Sequence, residues 1–370
     1  MDANTKLSSR LGIYSRLMWE NRKDIDWSGQ KSRIAFTTSV VLLQEPFSLA
    51  ERAAYASRIR NTEVTKPPIF ILGHWRSGTT YLFNLLSQDP DTAYMDTVST
   101  FTFDHFLTFP KTLDKIYDRA LSGSRPGDSM DWFADSPQEE VYAMGNMVEA
   151  SFVHLVNYPQ NAEKYMRLNY AENMTPKQRQ EWEKAHRYIL KKMTYAKGGR
   201  RILFKSPDNT GKARMLHELY PDAKFISIYR DPYKVIKSTV NMFIEGCRTQ
   251  TFEKLPSDEW IEDRAIEQFA MMYQHYFEDI KHIPSNQLVE VAYSDLTKEP
   301  METLQRIYDQ LNLPGFEAAK PRFQAHIDSQ KNYQVNRFHI DPKLVKKIND
   351  QLGFYFEHYG FPMREAEENV

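Results

Sequence analysis

The stretch Pro67–Thr80, PPIFILGHWRSGTT, constrains the fold of this chain more than any other, because it runs a short apolar strand straight into a glycine-bounded loop. The following YLFNLLSQDP reads as a helix, so loop amides and a helix N-terminus would face one anion. The outline is that of a P-loop. Gly73 and Gly78 keep the spacing of a Walker A loop, but Thr79 stands where that motif requires Lys, and the basic side chain inside the loop is Arg76. This disfavours a nucleoside triphosphatase or a P-loop kinase, which would need the loop lysine and an acidic strand end holding Mg²⁺.

A second segment, FISIYRDPYKVIKS at Phe225–Ser238, repeats the design: an apolar strand, Arg230 at its end, Pro232 in the turn, then a helix bearing Ser238. Together, GxxRSGTT and RDPxxxxxS resemble the two phosphate-binding elements of the sulfotransferases that use 3′-phosphoadenosine 5′-phosphosulfate (PAPS). Two further segments match in order: LFKSP at Leu203–Pro207 and VAYSDLTKEP at Val291–Pro300. The resemblance runs from about Pro67 to Pro314.

From Pro67 onward apolar strands alternate with helical segments, the pattern of a parallel sheet covered on both faces. The expected fold is a three-layer α/β/α domain, P-loop-like, with strands at Ile69–Leu72, Arg201–Phe204, Phe225–Tyr229 and Leu288–Tyr293. Right-handed crossovers bring the carboxyl ends of such strands to one edge, where ligands bind in open α/β sheets. All four motifs lie at those ends. We expect one domain over 1–370: a helical arm (1–66), a core (67–314) with an insertion at 91–199 that would build the acceptor side, and a C-terminal loop and helix (315–370). Thr175, Pro176 and Gly198-Gly199 punctuate a helix that closes the insertion.

The resemblance implies roles residue by residue. The first loop would hold the 5′-phosphosulfate through Arg76, Ser77, Gly78, Thr79 and Thr80, and the second motif the 3′-phosphate through Arg230 and Ser238. Arg suits this work because its planar fork engages two phosphate oxygens. Lys205 would neutralise charge on the departing 3′,5′-bisphosphate (PAP), and Tyr293 would lie near adenine. QKNYQ at Gln330–Gln334 resembles the loop that closes over the nucleotide, with Lys331 reaching the 3′-phosphate. DSPQEE at Asp135–Glu140 resembles a DxPxEE element of bacterial sulfotransferases and supplies a base for the acceptor hydroxyl, Glu139 before Glu140. His74 is the second candidate, with His105 and His154 behind it. First-turn acids matching a helix dipole would give the same two carboxylates.

Composition agrees without deciding. Hydrophobic residues make up 41% and aromatic residues 13%, which is globular, and a net charge of −1 gives no global field for nucleic acid. The single cysteine, Cys247, excludes an internal disulfide framework and a cysteine zinc cluster. Nothing reads as a metal site. With no apolar leader in MDANTKLSSRLGIY and no long apolar run, we expect a cytoplasmic protein. Met1–Arg60 carries ten Lys/Arg against six Asp/Glu, so the arm is packed with a solvated basic face or touches a membrane surface. The aromatics of the insertion, Phe101, Phe103, Phe106, Phe109, Trp132, Phe133, Phe152 and Tyr158, with Met144 and Met147, suggest a sterol, lipid alcohol or phenol as acceptor. A carbohydrate would also stack on aromatics, and a silent nucleotide-binding scaffold would keep Arg230 and Ser238 without a working base.

Overall fold

The computed structural model describes residues 6, 9–120, 133–330 and 339–365. In chain order, the elements that bear on the site are α1 (Leu11–Glu20), α2 (Lys31–Arg60), β1 (Ile69–Leu72), α3 (Thr79–Leu86), β2 (Thr92–Ala93), α4 (Glu140–Gly145), α5 (Pro176–Ala196), β3 (Arg201–Lys205), β4 (Lys224–Tyr229), α6 (Pro232–Gln250), α7 (Asp258–Asp279), β5 (Leu288–Ala292), α8 (Tyr293–Lys298) and α9 (Pro342–Tyr359). The α/β class is the expected one, with parallel strands in each of two units. The chain divides into two compact units, neither of them continuous in sequence: Met1–Pro68 with Thr92–Ser206 and Glu245–Pro256, and Ile69–Asp91 with Pro207–Ile244 and Ser257–Val370.

In the second unit β4 pairs in parallel with both β1 and β5, Ile69 opposite Lys224 and Phe225 opposite Leu288. A strand buried on both faces reads as an unbroken apolar run. IFIL of β1 is at most 2% exposed throughout, and the Phe70 and Phe225 rings stack at 5.6 Å. Four expected bounds shift: β3 runs on to Lys205 and β4 starts at Lys224. β5 ends at Ala292 and Tyr293 opens α8; α3 starts at Thr79 rather than Tyr81, so both loop threonines sit in its first turn. α9 begins at an Asp341 cap that accepts from the Lys343 amide and stops at a left-handed Gly360.

In the first unit β2 and β3 pair in parallel, Thr92 opposite Arg201. α5 is closed as its sequence indicates. Thr175 and Gln178 form a reciprocal capping box, Pro176 takes the first position, and Gly198 and Gly199 adopt left-handed φ of 65° and 78°. The arm packs α2 against α1 and α5. Its joint is polar: the Glu51 carboxylate, 1% exposed, lies 2.6 Å from the Lys192 ammonium and accepts from the Thr108 amide and hydroxyl. Arg10 meets Asp104 at 2.5 Å in the same unit.

Candidate active site

Within the second unit the loop after β1 bends through three left-handed residues, Gly73 (φ 132°), Arg76 (φ 66°) and Gly78 (φ 106°). A non-glycine residue pays about 1–2 kcal/mol for that conformation, so the surroundings must hold Arg76 in place. They do so through the second motif: the Arg76 Nε donates to Ser238 Oγ at 2.8 Å, and Arg230 Nη1 donates to the Arg76 carbonyl at 3.1 Å. The Arg230 guanidinium stacks on the Tyr293 ring at 4.0 Å, and a Cβ at Gly78 would fall 2.3 Å from that ring. Arg76, Gly78, Arg230, Ser238 and Tyr293 thus form one cluster, drawn from three segments that together span more than 200 residues. Two guanidinium groups beside a glycine-bounded loop and a helix N-terminus are an arrangement with the chemistry to hold an anion.

Other loop groups serve the loop itself. The Ser77 hydroxyl is fully buried and donates to the His74 carbonyl at 2.7 Å. Gly73 donates its amide to Thr210 Oγ1 at 2.7 Å; a Cβ there would lie 2.4 Å from the Ile228 carbonyl oxygen. Gly73→Ala should therefore cost about 1–3 kcal/mol in urea unfolding, and an unchanged midpoint would show that the loop has room to shift.

His74 is fully buried, and burial lowers its pKa to about 4. Its Nδ1 lies 2.9 Å from the Trp75 carbonyl and its Nε2 lies 2.6 Å from the Gln268 side-chain oxygen. A neutral imidazole donates from one nitrogen only, and the Trp75 oxygen can only accept, so Nδ1–H donates there. Nε2 then needs a donor. Turning the Gln268 amide supplies one and gives its nitrogen, otherwise buried without a partner, a place to donate. The ring's lone pair is then engaged inside the loop. His105 and His154 are likewise held below the usual histidine range by burial, and His154 Nδ1 lies 2.7 Å from the Lys6 ammonium.

In the first unit Glu139 caps α4 and Glu140 is its first residue, both at most 5% exposed. At the end of β3, Lys205 extends to Glu139 with Nζ 2.5 Å from Oε1, and the next residue, Ser206, accepts the Val141 amide through Oγ at 3.0 Å. Lys205 is 1% exposed, which sets aside a solvated surface lysine. The Lys205 contact fixes the position of the Glu139 carboxylate, and a positioned carboxylate is a group that can accept a proton. Phe103 and Phe106 are buried with the Lys192 ammonium 4.6 and 4.8 Å from their ring centres, so they serve the core. Lys331 and Trp132 lie outside the described residues.

Sequence reasoning missed Thr210, Gln268, Tyr273 and Tyr355. Tyr355, fully buried on α9, accepts the Arg230 amide at 3.4 Å and donates to its carbonyl at 3.0 Å. Each acts on a motif residue far away in sequence, and none carries a local signature. Among the described residues no group of three or more His, Cys, Asp and Glu is placed to hold a metal ion, and no helix is long and apolar enough to cross a membrane.

A model of the sulfotransferase family matches residues 67–318. The chain is 26% identical over 363 residues to omega-hydroxy-beta-dihydromenaquinone-9 sulfotransferase Stf3 of Mycobacterium bovis, covering 96% of this chain and 90% of that one. The sequence of the same name from Mycobacterium tuberculosis matches equally. Among solved structures, sulfotransferase STF9 from Mycobacterium avium superposes with a TM-score of 0.69 at 16% identity, covering 98% of each chain. Sulfotransferase STF1 from Mycobacterium tuberculosis gives 0.63 at 18% identity, covering 84% of this chain and 85% of that one.

Proposed function

Because this chain belongs to the sulfotransferase family, we propose that it transfers a sulfuryl group from PAPS to the hydroxyl of an apolar, lipid-like alcohol. The observation that carries the donor reading is the cluster of Arg76, Ser238, Arg230 and Tyr293, in which two phosphate-binding motifs share hydrogen bonds within one unit. Arg76 and the first-turn residues Gly78, Thr79 and Thr80 hold the 5′-phosphosulfate, with Ser77 keeping the loop in shape. Arg230 and Ser238 hold the 3′-phosphate, and Tyr293 supports adenine. Lys331 adds a cation to the 3′-phosphate.

In the transfer the acceptor oxygen forms a bond to sulfur as the bond from sulfur to the phosphate oxygen breaks, and PAP leaves. The acceptor proton passes to a carboxylate. Glu139 is the base we assign, because Lys205 holds its carboxylate in place, whereas the His74 lone pair is engaged by Gln268. Glu140 remains the adjacent carboxylate, and Lys205 supplies positive charge as the bisphosphate departs. As in phosphoryl transfer, positioning and cationic stabilisation carry most of the catalysis. For the acceptor, support comes from the relative whose name specifies an omega-hydroxy dihydromenaquinone, a hydroxyl on an apolar body.

The test is mass-spectrometric detection of sulfated product after incubation with PAPS and a panel of isoprenoid, sterol, phenolic and sugar alcohols. A product from the apolar alcohols, absent with Arg76→Ala, is the expected outcome; product from the sugars alone would overturn the acceptor, and preferential binding of Mg·ATP over PAP would overturn the donor. Arg230→Ala should weaken PAP binding by about 30-fold in calorimetry, the loss of roughly 2 kcal/mol of charge-assisted hydrogen bonding. An unchanged Kd would remove Arg230 from the nucleotide site.

A further inference from the structure

α2 spans 30 residues, and its middle is apolar on both sides. Its inner face buries Thr37, Val41, Ser48 and Glu51. On the outer face, every exposed residue between Ala35 and Ala54 is apolar except Ser39. Phe36, Leu43 and Phe47 are 61%, 71% and 52% exposed, and Leu42 and Leu49 add 52% and 56% on the flank. At 100° per residue, Phe36, Leu43 and Phe47 fall within about 40° of one another, a single stripe. Scattered exposed leucines need no explanation, but a contiguous apolar stripe on a soluble surface does.

The charges around the stripe are sorted. Both carboxylates of the helix are turned to other work: Glu45 pairs with Arg52 at 2.8 Å, and Glu51 is buried against Lys192. The exposed cations stand at the two ends, Lys31 in the first turn and Arg58 and Arg60 in the last. A flat apolar strip about 30 Å long with one exposed cation at its N-terminal end and two at its C-terminal end fits a bilayer surface, acyl chains along its middle and anionic headgroups at its ends. A second copy fits less well. Parallel or antiparallel pairing of two α2 helices would set basic end against basic end. Because the inner face is committed to the protein core, α2 can lie on a membrane but not cross it.

We propose that the outer face of α2 docks this protein on an anionic lipid bilayer, the apolar stripe entering the headgroup boundary and Lys31, Arg58 and Arg60 meeting anionic headgroups. Docking does not depend on the donor or acceptor assignments, and a failure of either leaves it standing. The probe is flotation of the full chain with vesicles of phosphatidylcholine containing 30% phosphatidylglycerol, and with phosphatidylcholine alone, at about 0.1 M salt. The expected result is binding at least tenfold tighter to the anionic vesicles. Leu43→Ser/Phe47→Ser should lower binding to both vesicle types by at least tenfold, with thermal unfolding lowered only slightly, by loss of the edge-on contact of Phe47 with Phe109. Arg58→Gln/Arg60→Gln should remove only the anionic preference. Docking is overturned if the wild-type chain stays unbound with both vesicle types, or if Leu43→Ser/Phe47→Ser floats as the wild type does. It is equally overturned if the unbound wild type is dimeric by light scattering while Leu43→Ser/Phe47→Ser is monomeric, which would give the stripe to a second copy.

Discussion

Glu139→Gln should lower kcat by about 10²–10⁴-fold, the range for losing a positioned general base, while PAP affinity stays within about twofold. Glutamine keeps the shape and can still accept from Lys205, but it cannot take the acceptor's proton. The substitution also leaves Lys205 buried without a counter-charge, and a stranded buried charge destabilises. Turnover alone would not separate a lost base from a loosened fold. Glu139→Gln/Lys205→Met resolves this, because replacing both partners restores a neutral, filled interior. Stability should recover in the double variant, which separates the fold from the chemistry; its turnover, with the Lys205 charge also gone, should fall below that of Glu139→Gln. If Glu139→Gln turns over within threefold of the wild type, the base is elsewhere, and Glu140→Gln becomes the next variant to measure.

Lys192→Ala should cost about 3–5 kcal/mol of stability, the usual penalty for removing one partner of a buried ion pair. Lys192 is fully buried, and it links α5 to both α2, through Glu51, and the insertion, through the Phe103 carbonyl. Burial pulls its pKa below the usual lysine range, while Glu51 and Asp104 pull the other way. Without Lys192, Glu51 keeps its hydrogen bonds from Thr108 but loses its counter-charge. Lys192→Met/Glu51→Gln should recover more than half of the loss in urea unfolding, since both groups become neutral and the space stays filled. A single-variant loss under 1 kcal/mol would mean that water reaches the pair. Arm docking is separable, because Glu51 lies on the inner face of α2 and the apolar stripe on the outer.

The two loop motifs were legible because they are local. Strand, glycine-bounded turn and helix follow one another within PPIFILGHWRSGTT and again within FISIYRDPYKVIKS, and nearest-neighbour chemistry dictates both. An apolar run makes a buried strand, Gly permits the left-handed turn, and the helix N-terminus comes next. The closing helix of the insertion was legible for the same reason, since Thr175, Pro176 and the glycine pair act on their own backbone.

What the sequence determined by itself is therefore the parallel α/β class and the order of the four motifs, each written in runs shorter than about 20 residues. The tertiary structure decided how those runs meet. It set Arg76 on Ser238, Arg230 on Tyr293 and Lys205 on Glu139, it engaged the His74 lone pair with Gln268, and it left one face of α2 uncovered. These are contacts between residues tens to hundreds of positions apart, fixed by how side chains fill space and satisfy buried charge. No local spacing encodes which partner will be present when the chain closes.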